Sequence, residues 1–69
     1  MDEIIFVIEE DVEGGYTARA LNFSIFTDGD TLQELKNNIS DAVRCHFANS
    51  DLPKIVRMHF VRDEVFAIV

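Results

Sequence analysis

Cys45 and His46 stand side by side, a thiol next to an imidazole, the raw material of a nucleophile and its general base. Their spacing does not make a dyad. Consecutive residues of a helix point about 100° apart and do not face each other, and no third group is at hand to orient the base. Metal binding requires three or four converging donors. Cys45, His46 and His59 are the only thiol and imidazole groups in the chain, and they follow no ligand spacing. His46 and His59 meet only if the helix end lies over the last strands. The reading is a packed Cys45, two ordinary polar histidines, no metal and no cofactor.

Carboxylates come in pairs, Glu9 with Glu10 and Asp28 with Asp30. Both pairs lie in stretches that read as turns, where solvation and capping account for them. A glycosidase or a magnesium nuclease needs a cleft between its carboxylates, and so small a body can hardly form one. Gly14 and Gly15 do not precede a helix, so they are not a phosphate loop. No nucleophile, base and orienter can be assembled, and the chain is read as a non-enzyme with no catalytic residues.

The elements that position these groups follow from hydrophobic spacing. Ile4 to Ile8, IIFVI, is too short for a helix and rich in β-branched residues; it reads as a strand buried on both faces. Gly14 and Gly15 close the turn EEDVEGG. Tyr16 to Leu21 alternates as a second strand, and Ser24 to Thr27 reads as a short third one. Asp28, Gly29 and Asp30 form a turn, and Thr31 stands three residues before Glu34, the spacing of a reciprocal capping box. The helix is expected over 32–48. Leu32, Leu35, Ile39, Ala42, Val43 and either His46 or Phe47 form its apolar stripe, and Pro53 prevents its continuation. Ile55 to Val61 alternates again; Arg62, Asp63 and Glu64 interrupt it, and VFAIV closes the chain. Two strands in a hairpin, or one long strand with a bulge, both fit this end. The fold class is therefore α+β: one domain over 1–69, two layers, order β-β-β-α-β(β), with one helix on one face of the sheet.

Alternation assigns the sheet faces. Ile4, Phe6, Ile8, Tyr16, Ala18, Ala20, Val56, Met58 and Phe60 fall toward the helix. Ile5, Val7, Thr17, Arg19, Arg57, His59 and Val61 fall on the other side, where an apolar centre is ringed by cationic or titratable groups. That pattern suits an interaction surface. Ile5, Val7 and Val61 are the candidate contacts between copies of the chain.

Composition points the same way. Of 69 residues, 48% are hydrophobic, a large supply for one helix and one sheet, and the surplus implies self-association or a protein partner. The formal net charge of −7 leaves no basic footprint for nucleic acid and would be repelled by an anionic membrane. A basic protein would be attracted. The chain has one cysteine, which suits a reducing cytoplasm, and MDEIIFVIEE lacks the basic start of a secretory signal.

The segments GGYTARA, TDGDTLQEL and DAVRCHF together resemble the HicB-like antitoxin family over nearly the whole chain. GGYTARA resembles its first hairpin, TDGDTLQEL its turn, Gly-Asp-Thr and helix signature, and DAVRCHF the end of its helix. LNFSIF stands where that family usually has a Pro-Gly step, and the strand-like end VFAIV is expected not to form the family's C-terminal DNA-binding segment. The resemblance implies a truncated ribonuclease-H-like fold without the nuclease carboxylates, and it implies a partner: a small, basic, RNA-cleaving HicA-like toxin with a double-stranded-RNA-binding-like fold.

The expected function is thus a non-catalytic interaction domain that binds and neutralises such a toxin. The alternative is a stand-alone homo-oligomeric regulatory or small-ligand-binding domain. The candidate partner-binding residues are the acids Glu9, Glu10, Asp11 and Glu13, with Arg19, Arg57 and His59 on the open sheet face. Salt bridges to the chain's own acids are the competing use for these last three.

Overall fold

The computed structural model describes residues 2–49 and 51–69. Strands β1 (Glu3–Glu10), β2 (Tyr16–Ala20) and β3 (Phe26–Gly29) precede helix α1 (Leu32–His46), and β4 (Ile55–Val61) follows it. They form one sheet in the order β3-β2-β1-β4. β1 and β2 pair antiparallel, as do β2 and β3; β4 returns parallel to β1, with Phe6 opposite Met58 and Ile8 opposite Phe60. The fold is α+β, with one helix on a four-stranded mixed sheet, in the order β-β-β-α-β.

The tip of the first hairpin is built by its glycines. Gly14 and Gly15 take φ of 101° and 84°, values that L side chains rarely adopt. Asp11 supports the turn three times: its N–H donates to the Gly15 carbonyl at 3.0 Å, its carbonyl accepts from the Gly14 N–H at 3.0 Å, and its carboxylate accepts from the Glu13 N–H at 3.0 Å.

The core lies between the helix and one sheet face. Phe6, Ile4, Ile8, Leu35 and Ile39 are fully buried there, and each such side chain contributes roughly 1.5–3 kcal/mol relative to exposure. Leu35, Ile39 and Val43 recur at the spacing of one helix face, with Phe47 one step beyond. Phe47 caps the helix, its N–H donating to the Val43 carbonyl at 3.0 Å, so the helix stops two residues earlier than its expected end. Leu32, expected in the stripe, is exposed in the first turn; Ala42 is half-buried against the core.

β3 departs further from expectation. It spans Phe26–Gly29 rather than 24–27. Asn22, at φ 68°, turns the chain into a loop closed by the Ala20 N–H on the Ile25 carbonyl at 3.0 Å, and Ile25 drops into the core ahead of the strand. Asp28 and Gly29, which read as turn residues, then extend the ladder opposite Thr17 and Tyr16. Weak strand propensity yields here to packing: a Cβ at Gly29 would come within 2.6 Å of the Leu35 amide nitrogen, so glycine lets the helix lie against β3.

Two expectations about burial are corrected. β1 is not buried on both faces: Ile5 and Val7 are only half-buried, because the single helix covers the other side. Val56 and Phe60, placed toward the helix, are exposed, because only Met58 between them packs against the core. The segment VFAIV is neither a hairpin strand nor a continuation of β4; residues 62–69 form no strand.

Candidate functional site

The sheet face away from the helix carries two rows of side chains across all four strands. Phe26, Arg19, Val7 and His59 lie side by side in one, and Asp28, Thr17, Glu9 and Val61 in the next. Beyond them Ile5 lies beside Arg57. Half-buried Ile5 and Val7 thus sit between cationic or imidazole neighbours, with exposed Phe26 and Val61 at the margins. A surface with an apolar centre and a polar rim has the anatomy of a protein contact. Phe26 was missing from the expected set because its strand begins two residues later than the sequence pattern suggests.

Arg57 is tied down on this face. Its Nε donates to Glu3 Oε1, and its Nη2 donates to Glu3 Oε2 at 3.3 Å. The hydrogen bond from Arg57 holds the Glu3 carboxyl below the usual glutamate range, and the same bond raises the guanidinium. Arg57 is thus paired with an acid of its own chain. Among the described residues, Arg19 and His59 make no such pair. Arg19 is the free cation next to Val7.

One end of the molecule is acidic. The C-terminal ends of β1, β3 and β4, the start of β2 and the start of the helix all meet there. Glu9, Glu10 and Asp11 line a hollow of about 340 Å³ together with Asp63 and one cation, Arg62. Asp11, Asp28, Asp30 and Glu34 line a second, of about 170 Å³, beside Gly14 and Gly15. Strand pairing therefore joins the predicted acids Glu9, Glu10 and Asp11 to carboxylates distant in sequence. Glu13 belongs to the same hairpin tip. The share of Asp63 was not anticipated; its signal is the parallel register of β4, which sets Val61 opposite Glu9.

At the helix start, Thr31 Oγ1 accepts from the Glu34 N–H at 3.1 Å, as the sequence spacing implies. The Glu34 carboxylate makes no return bond among the described residues and is exposed at the acidic end. Asn38 Nδ2 donates to the Asp28 carbonyl at 2.7 Å and ties the helix to β3.

The remaining chemical candidates do not converge. Cys45 is exposed rather than packed. His46 stacks edge-on with Phe47 and Phe23 at 4.9 and 5.8 Å. His59 lies beside Val7 on the opposite side of the sheet from the helix, so the two histidines do not meet. Among the described residues no three His, Cys, Asp or Glu side chains are placed to hold a metal ion. No helix among them is long and apolar enough to cross a membrane.

A UPF0150 protein of Thermotoga maritima is 46% identical to this chain over 66 residues, spanning 96% of the chain and 93% of that protein. A UPF0150 protein of Archaeoglobus fulgidus is 51% identical over 55 residues, spanning 80% of the chain and 82% of the relative. The chain belongs to the UPF0150 family. No family model matches it, and no solved structure matches it significantly. The similarity to both UPF0150 relatives extends over most of each chain rather than over one motif.

Proposed function

We propose that this UPF0150 chain is a non-catalytic binding module of the HicB-like antitoxin kind, and that its partner is a small basic RNA-cleaving toxin. The observation that carries the reading is the division of its surface. An open sheet face has an apolar centre at Ile5 and Val7, and a cluster of carboxylates from Glu9 to Asp63 stands at the adjacent strand ends. Carboxylates so gathered steer a basic protein toward the molecule, while the apolar face supplies the area that holds it. Glu9, Glu10, Asp11 and Glu13 carry the steering; Arg19 and His59 are available for specific contacts next to Val7.

The module supplies no reaction of its own, since Cys45, His46 and His59 are not assembled with one another. It works in the cytoplasm, where an exposed, unpaired thiol such as Cys45 stays reduced. The test is reconstitution: a basic protein encoded beside this chain is purified, its RNA cleavage is measured, and the chain is titrated in. Cleavage should fall to background at stoichiometric chain. Undiminished cleavage, or capture of nothing but the chain itself from native extract, would reject the toxin and leave a stand-alone regulatory or small-ligand domain.

A further inference from the structure

The last five residues, Val65 to Val69, form an apolar arm without a place in their own fold. Val65 is 92% exposed, Phe66 83% and Ile68 93%. These residues belong to no strand and to none of the turn or loop hydrogen bonds among the described residues. The molecule measures 56 Å along one axis but only 20 by 17 Å across it. Eight extended residues after β4 span roughly 26 Å, which accounts for the excess length.

The same molecule has an unfilled place for an apolar strand. β4 is an edge strand, so its outer row of N–H and C=O groups is unpaired. On its helix side Val56 is 38% and Phe60 50% exposed, and a groove of about 250 Å³ runs between Val56 and Met58 and the helix residues Lys36, Ile39 and Ser40. The arm does not fold back into this place. The link Arg62-Asp63-Glu64 contains no Gly, Asn or Pro to make the reversal that a hairpin needs.

From the arm, the edge and the link together we infer that two copies of this chain exchange their C-terminal arms, each arm adding as an antiparallel strand to the free edge of β4 in the other copy. A two-fold axis at Asp63 sets the register. Arg62 then lies opposite Glu64 of the partner subunit, an attractive cross-strand pair on each side of the axis. Phe60 lies opposite Phe66 of the partner subunit, and Met58 opposite Ile68 of the partner subunit. Directly opposed residues share a sheet face, so the incoming Phe and Ile cover the open groove beside Val56 and Ile39. Val65, Ala67 and Val69 fall on the other face, next to Val61, His59 and Arg57. The arm's Phe66 and Ile68 would be covered at the groove, while Val65, Ala67 and Val69 would extend the apolar part of the open face beside Val61. The two Asp63 carboxylates meet at the axis and oppose the pairing. This inference is independent of the toxin reading, because it concerns the chain alone.

Sedimentation of the purified full chain at micromolar concentration tests it. The wild type should sediment as a dimer. Ile68→Asp should sediment as a monomer that still unfolds cooperatively, with a midpoint that no longer rises with protein concentration as the wild type's does. Asp63→Asn should dissociate at a lower concentration than wild type. Asp63→Cys in a Cys45→Ser background should oxidise to a covalent dimer much faster than a Val12→Cys control in the same background. A monomeric wild type would overturn the inference. So would a dimer that survives Ile68→Asp but is dissolved by Val7→Lys, which would locate the contact on the open sheet face. Cross-linking through Asp63→Cys no faster than through Val12→Cys would also contradict it.

Discussion

Gly29, the last residue of β3, lies directly beneath the backbone of Leu35. A methyl group there would come within 2.6 Å of the Leu35 nitrogen and 2.8 Å of its Cα. Both are backbone atoms of the helix and cannot swing aside. Gly29→Ala should therefore destabilise the protein by about 1–3 kcal/mol through overpacking. Gly14→Ala meets no steric neighbour and should cost less, through its positive φ alone. Urea unfolding of both variants checks the order; equal losses would mean that the helix does not rest on Gly29.

The helix cap offers a cycle of three variants. Thr31→Ala removes the acceptor of the Glu34 N–H and should cost about 1 kcal/mol. Glu34→Ala keeps that N–H and loses only a carboxylate at the helix N-terminus, worth roughly 0.3–1 kcal/mol. The sequence spacing implies a reciprocal box, in which the two losses overlap. With no return bond from the Glu34 side chain, they should add to within about 0.5 kcal/mol. A double-variant loss well below the sum would restore the reciprocal box.

Glu3 and Arg57 give a pH-dependent contact. The hydrogen bond from Arg57 lowers the Glu3 pKa in the folded state. The pair's contribution is then complete above the unfolded glutamate value and is lost as pH falls through the lowered folded value. Its size is small, because the pair is solvated. The NMR titration midpoint of Glu3 should lie below the ordinary glutamate value and rise in Arg57→Ala. An unchanged midpoint in that variant would show that the bond is not kept in solution.

The acids of the first hairpin should govern association rate rather than fold. Glu9→Gln, Glu10→Gln, Asp11→Asn and Glu13→Gln together should slow association with a basic partner on the order of 10-fold at low salt. The difference should shrink as salt is added. Asn at position 11 keeps an oxygen to accept from the Glu13 N–H, so the turn is retained. Stopped-flow mixing gives the rates, and circular dichroism checks the fold. Equal rates for the quadruple variant and wild type would remove these acids from the binding account.

How far the sequence carried the fold depended on whether a signal was local. Leu35, Ile39 and Val43 declared one helix face, Thr31 its start, and Ile4, Phe6 and Ile8 the buried side of β1. Each rests on spacing within a single element. The position of β3 was illegible because it is decided across elements: Asp28 and Gly29 look like a turn, and only the approach of the helix makes glycine suitable in that strand. The gathering of Asp63 with Glu9 and Glu10 depends on the parallel register of β1 with β4, for which no local code exists. VFAIV carries a strong strand pattern, yet within one chain it has no strand to pair with, and pattern alone does not reveal a missing partner.

The most direct measurement of the central claim is stoichiometric inhibition. A basic protein encoded beside this chain should cleave RNA alone, and the chain should abolish that cleavage at equimolar ratio. The Val7→Lys chain should fail to do so, because it sets a charge in the apolar centre of the open face. Full inhibition by wild type and none by Val7→Lys is the predicted result. Cleavage untouched by any excess of the wild-type chain would contradict the account.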